Sequence, residues 1–338
     1  MDRRIVDWSS DAASRSGATS YRQLGISAIQ TIAAALAVWV GLWALNNALP
    51  YVQNGAAAVT ETKRQMAESR FLFEPTDRQR IYAFGDSKML AGFQPRAFAA
   101  VLGEGTDAFN LAIPGDQRFV NLLESAIVAG NVPTHVFVEA LPSQASVESW
   151  WGAFNDDNRI IQTLFPFRAF FRDAIVLVFE AGGLSDVVRR YRANANQIGR
   201  MRADHGYYFI RSQSLYPDNR LPNDYRLPTD RPNDGYSRRV DVDGEEFVRL
   251  VHLAERYDFE IVLVPVVYRE GEFAPPPGAD RELIAKLRRF NRIRILGPPY
   301  LLYEPSAFSD PVHLNTSGAE RYTREIATLF RTMTTAGL

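Results

Sequence analysis

From Arg80 onward the apolar residues fall into two alternating patterns. Continuous apolar runs at Ile81–Phe84, Ala108–Ala112, His135–Leu141, Glu260–Val267 and Ile293–Leu296 have the length and the aromatic or β-branched content of buried strands. Between them, Pro95–Leu102, Gln117–Ala129, Gly244–Arg256, Asp280–Arg289 and Gly318–Met333 repeat apolar residues at helical spacing. Alternation of this kind predicts βα units, and hence an α/β domain whose mainly parallel sheet is covered on both faces. The last helix has the plainest stripe, Tyr322, Ile326, Leu329, Phe330 and Met333, and Ser317-x-x-Glu320 predicts a capping box at its start.

Upstream the pattern changes. No charged residue occurs from Gln23 to Thr60, and Leu24–Leu49 is long enough to cross a bilayer as a helix, with Trp39 and Trp43 towards its far end. A cleaved signal peptide with Ala56-Ala57-Ala58 as its processing site is the competing reading. The apolar run exceeds a signal core of roughly 7–15 residues and its polar lead is long, which favours a retained anchor. Arg3, Arg4, Arg15 and Arg22 precede the run more closely than Lys63, Arg64 and Arg70 follow it. That asymmetry places residues 1–23 in the cytoplasm, residues 24–49 in the membrane, a linker at 50–79, and the α/β domain of 80–338 outside.

An insertion of about 149–239 separates the third and fourth predicted strands. It opens on the aromatic cluster Trp150, Trp151, Phe154, Phe165, Phe167, Phe170 and Phe171, passes through a predicted helix over Arg172–Arg190, and becomes turn-rich around Pro217, Pro222, Pro228 and Pro232. Such a segment shapes a cleft or docks a partner. The arginines Arg189, Arg190, Arg192, Arg200 and Arg202 read as a solvated helix face, or as a surface for an anionic glycan or lipid headgroups.

Composition narrows the chemistry. The chain has 38 Lys+Arg against 39 Asp+Glu, so no overall basicity points to nucleic acid. Its cysteine count is 0, which excludes thiolate nucleophiles, disulfides and cysteine metal sites. His135, His205, His252 and His313 show no paired metal-ligand spacing, and no cofactor or metal is expected. There is no G-x-S-x-G elbow and no phosphate-binding G-x-x-x-x-G-K-[ST] loop. Gly103-x-Gly105 follows a helix and precedes a strand, the reverse of a dinucleotide fingerprint, and reads as a helix stop.

Three blocks carry candidate chemistry. The first strand runs into Gly85-Asp86-Ser87, where Ser87 is either a helix cap or a nucleophile. The second ends in Pro114-Gly115-Asp116, where Gly115 either permits a turn or offers its N–H to an oxyanion. Before the last helix, Asp310 and His313 are spaced so that a turn can set the carboxylate on one imidazole nitrogen, leaving the other to face a serine. In an open α/β sheet, the first and last of these blocks would meet at strand carboxyl ends, where ligands bind.

Together the blocks, in this order from about Arg80 to Arg331, resemble the SGNH, or GDSL-type, hydrolase superfamily. The resemblance implies a three-layer flavodoxin-like sheet, Ser87 as nucleophile, His313 as base and Asp310 as its orienter. The N–H groups of Ser87 and Gly115 would be the oxyanion donors. The longer stretch "GDSKMLAGFQPRAF" is similar to membrane-anchored bacterial members associated with polysaccharide O-acylation, implying an envelope polysaccharide or acyl donor as partner. The chain departs from the family after the third strand, where "THVFVEALPSQAS" lacks a Gly-x-Asn-Asp block. Ser143 and Gln144 are the candidate substitute donors. Two functions are therefore expected to compete: a serine esterase or O-acyltransferase outside the membrane, and a catalytically silent domain that braces other subunits of a membrane complex.

Overall fold

The structure, a computed structural model, describes residues 11–52, 55–114, 119–139, 184–209, 216–227, 242–271 and 281–336. Its strands are β1 (Gln79–Phe84), β2 (Thr106–Asn110), β3 (His135–Val138), β4 (Glu260–Leu263), β5 (Val266–Arg269), β6 (Ile293–Ile295) and β7 (Tyr300–Tyr303). Five of them form one parallel sheet in the order β2-β1-β3-β4-β6, while β5 and β7 form a separate parallel pair. The helices are α1 (Asp11–Val52), α2 (Gly55–Glu68), α3 (Ser87–Gly92), α4 (Pro95–Leu102), α5 (Val120–Val128), α6 (Leu184–Ala203), α7 (Glu245–Tyr257), α8 (Arg281–Leu287) and α9 (Thr316–Ala336).

The strand residues are apolar on both sides because both faces of the sheet are covered. Ile81, Ala83, Phe137 and Val262 point into a core shared with Met89 and Leu90 of α3, Phe98 of α4, Met201 of α6, and Tyr322, Ile326 and Phe330 of α9. Their neighbours Tyr82, Phe84, Val136, Val138, Ile261 and Leu263 point the other way, onto Met66 of α2, Leu123 of α5, Phe247 and Leu250 of α7, and Leu287 of α8. This is the α/β class, with a mainly parallel sheet, that the alternating pattern predicts.

Several boundaries differ, each for a local reason. The run Glu260–Val267 is two strands, since Pro265 has no N–H to give a ladder and β5 leaves the main sheet after it. The predicted third strand over His135–Leu141 ends at Val138 among the described residues. The second strand lies two residues earlier than Ala108–Ala112, and β7 had no counterpart in the expectations. Helix α6 runs on to Ala203, well past the expected Arg190, because Ile198 and Met201 bury an apolar stripe that the arginines and asparagines obscure. Among the described residues no capping box forms at Ser317, whose hydroxyl donates to Asn315 Oδ1. Asn315 caps α9 instead, its Oδ1 accepting the Gly318 N–H at 2.9 Å.

Helix α1 extends beyond the expected 24–49 at both ends and, at 42 residues, is roughly 60 Å long. Its Gln23–Gly41 segment, mean hydropathy 1.8, is long and apolar enough to span a membrane, and 0% of it is buried inside the protein. The expected linker at 50–79 is largely helical, since α1 runs to Val52 and α2 fills Gly55–Glu68.

Candidate active site

The first block forms where β1 stops. Gly85 is required there by close approach: a Cβ at this position would stand 2.7 Å from Met89 Cβ and 3.0 Å from Glu139 Oε2. Asp86 then adopts extended backbone and its carboxylate accepts the Lys88 N–H at 2.7 Å. Asp86 is therefore the cap, and Ser87 is the first residue of α3. The serine is partly exposed and its hydroxyl makes no hydrogen bond among the described residues. Next to it, the Lys88 ammonium lies 4.2 Å from the centre of the Tyr268 ring on β5.

Helix α3 is short and needs outside support. It comes from Asn110, a fully buried residue at the end of β2. The Asn110 amide donates to the carbonyls of Met89 (2.9 Å), Phe93 (2.9 Å) and Leu90 (3.3 Å), and its Oδ1 accepts the Ala112 N–H at 3.1 Å. Carbonyls left open at the end of α3 thus find a donor. Asn110 is itself held from behind by Lys63 of α2, whose ammonium donates to the Asn110 and Gly206 carbonyls. Lys63 is fully buried, and burial holds its pKa well below the ordinary value. Neither residue was expected from the sequence.

The third block is a closed turn. Phe308 bridges to Leu314 in antiparallel fashion and the Ser309 N–H donates to the His313 carbonyl at 2.9 Å. Inside the turn, Asp310 Oδ1 accepts the N–H groups of Val312 and His313, both at 2.8 Å, and Oδ2 lies 2.8 Å from His313 Nδ1. Burial pushes the Asp310 carboxyl up, but hydrogen bonds from His313 and Val312 outweigh it and hold the group below its ordinary value. An ionised carboxylate can only accept, so it fixes the imidazole proton on Nδ1 and leaves Nε2 with a lone pair. That Nε2 is buried and has no hydrogen-bond partner among the described residues.

The two blocks are joined through α3 and α9. Gln94, just past α3, donates its N–H to Thr323 Oγ1 at 2.9 Å, and Thr323 Oγ1 donates to the Gly92 carbonyl at 3.3 Å. A Cβ at Gly92 would stand 3.6 Å from Leu314, the residue after His313. Gly318 lets α9 start close to the preceding turn, for a Cβ there would meet the Ala307 carbonyl at 2.2 Å. The structure thus brings Asp310 onto His313 and packs α3 beside α9, with no hydrogen bond between Ser87 and His313.

Gly115, Ser143 and Gln144 lie outside the described residues, as does the aromatic cluster from Trp150 to Phe171. At the position where the family pattern would begin its Gly-x-Asn-Asp block, the described chain ends on Glu139, which is buried beside Gly85. Among the described residues no group of three or more His, Asp or Glu side chains converges as a metal site. No known family model, curated protein or solved structure matches the chain.

Proposed function

We propose that the protein is a membrane-anchored serine esterase or O-acyltransferase of SGNH type, with its N-terminus in the cytoplasm and its α/β domain acting outside on an acyl ester of an envelope glycan. The observation that carries this reading is the Asp310–His313 pair, with the carboxylate on Nδ1 and a buried Nε2 left open. The strand order β2-β1-β3-β4-β6 supports it, because β6 occupies the fifth place of a flavodoxin-like sheet once β5 is set aside. Ser87 stands at the carboxyl end of β1 with its capping duty taken by Asp86.

In this mechanism Ser87 Oγ bonds to the ester carbonyl carbon while His313 Nε2 takes the hydroxyl proton. Asp310 stabilises the imidazolium formed. The C–O bond to the leaving alkoxide breaks, His313 returns the proton to that oxygen, and the acyl group remains on Ser87. Water or a sugar hydroxyl then bonds to the acyl carbon while His313 takes its proton; the acyl bond to Ser87 Oγ breaks and His313 returns the proton to Ser87. The developing oxyanion would be met by the N–H groups of Ser87 and Gly115. The reading is tested with p-nitrophenyl acetate. A burst of p-nitrophenol and an acetyl group on the peptide containing Ser87 support it; a sugar acceptor that speeds turnover marks a transferase. No burst and no acetylated peptide would refute it.

A second reading is favoured by one observation. The buried side chain beside Gly85 is the acid Glu139, not the asparagine amide that the family pattern turns towards an oxyanion. With it, the domain would be a catalytically silent SGNH-like subunit that braces a membrane complex, and Ser87→Ala would leave that assembly unchanged.

A further inference from the structure

The arginine-rich helix α6 is not used by the proposed chemistry, and the fold gives it a particular place. It packs against both α1 and α2. The described residues of the Gln23–Gly41 span are exposed throughout. The Arg202 guanidinium bonds to Gln65 of α2, and the Gly206 carbonyl, just past α6, receives Lys63. Since α2 starts three residues after α1 ends, a helix packed on both lies at the domain end of α1.

The two faces of α6 differ. Ile198 and Met201 are buried towards the domain. Ser185, Val188, Arg189, Arg192, Asn196, Gly199 and Arg200 form an exposed stripe at helical spacing. Val188 is 42% and Tyr191 45% exposed, so large apolar groups sit among the cations on the outside. The only carboxylate on the helix, Asp186, pairs with Arg189 and Arg190. Among the described residues Arg192 and Arg200 have no carboxylate partner. A cationic face with exposed aliphatic and aromatic groups is the pattern of a helix lying in a membrane interface.

We infer that the outer face of α6 docks on anionic phospholipid headgroups around the α1 span, so that the domain is seated on the bilayer rather than tethered above it. The phosphate groups would be met by Arg189, Arg192 and Arg200, and Val188 would enter the headgroup layer. This rests on reading α1 as a membrane span. Sheet order gives the contrast: β2, whose Asn110 carbonyl is held by Lys63 together with that of Gly206, is one edge of the main sheet, and β6 is the other. The two edges are roughly 19 Å apart at about 4.8 Å per strand.

The test uses the full chain in lipid nanodiscs, and the absence of native cysteine makes single labels clean. Nitroxides are placed at Val188→Cys and Gly199→Cys on the outer face of α6, at Trp43→Cys beside the span, and at Lys286→Cys on α8. Nickel-chelating lipids then report closeness to the headgroups. Relaxation at Val188→Cys or Gly199→Cys approaching that at Trp43→Cys, and well above that at Lys286→Cys, is the expected result. It should strengthen when phosphatidylglycerol replaces phosphatidylcholine, and Arg192→Gln with Arg200→Gln should remove that strengthening, at about five-fold per arginine in the docking equilibrium. If both α6 labels relax no more than Lys286→Cys, the inference is overturned. If relaxation is high but indifferent to phosphatidylglycerol and to the arginine changes, headgroup recognition is overturned. If Trp43→Cys itself shows no relaxation, α1 is no span and the inference falls with it, a failure separate from the first.

Discussion

Two buried polar clusters lie near α3, and they treat their hydrogen bonds in opposite ways. At Asn110 the side chain is fully used: three carbonyls and one N–H meet its amide, and the Lys63 ammonium serves two carbonyls. At His313 the turn satisfies Asp310 three times over, yet leaves Nε2 buried without a partner among the described residues. Burial of a polar group without a partner is costly, so a native fold keeps few. The first cluster has the economy of a structural joint. The second holds a nitrogen open, which is what the proposed base requires.

Breaking the second cluster should cost function and little stability. Asp310→Asn keeps the shape of the turn but lets the amide donate towards Nδ1, which shifts the imidazole proton to Nε2. Acyl transfer at Ser87 should fall by roughly ten-thousand-fold, as wrong-tautomer variants of such triads do. The burst amplitude and steady-state rate check this, with thermal melting as the control for fold.

Breaking the first cluster should do the reverse. Asn110→Leu leaves the Met89, Leu90 and Phe93 carbonyls without their donor in the core. Unfolding in detergent should become easier by about 1–3 kcal/mol. Any loss of activity should follow the loss of folded protein, apart from slack in α3 itself.

A smaller effect sharpens the contrast through pH. Folded Lys63 gives up its proton well below its ordinary value of 10.5, so between those two values the unfolded chain binds more protons. Stability should therefore rise with pH through that window, and Lys63→Met should flatten the rise. Denaturant midpoints taken from about pH 7 to about pH 9.5, below the ordinary tyrosine range, measure it. Buried Tyr82 has a raised pKa and would oppose the trend only at higher pH. At the other cluster the sign is that of a depressed carboxyl. The Asp310 contribution is complete above its ordinary value and is lost as pH falls through the lower folded one.

How far these clusters could be read in advance follows from what each residue resembles locally. Ser87, Asp310 and His313 stand in short blocks whose spacing and order have a chemical meaning, so the sequence names them. The alternation of apolar runs likewise gives the parallel sheet, because strands buried on two faces need no polar side. Asn110 and Lys63 carry no such mark. An asparagine ending a strand looks like a turn residue, and a lysine among Glu61, Arg64 and Glu68 looks like part of a solvated helix face. Only their burial against carbonyls from distant segments, Gly206 among them, gives them a role. The split of Glu260–Val267 was legible in principle at Pro265, and the extra strand β7 was hidden behind Gly297-Pro298-Pro299.

The central claim is that the open nitrogen of His313 serves Ser87 as a base. A fluorophosphonate probe applied to the folded full-length protein tests it most directly, since a serine reacts with such a probe only when its hydroxyl is activated. Labelling should map to the peptide containing Ser87, vanish in Ser87→Ala, and fall steeply in His313→Ala, with melting behaviour unchanged. A folded protein whose Ser87 is accessible but stays unlabelled, or labels equally well without His313, would contradict the account.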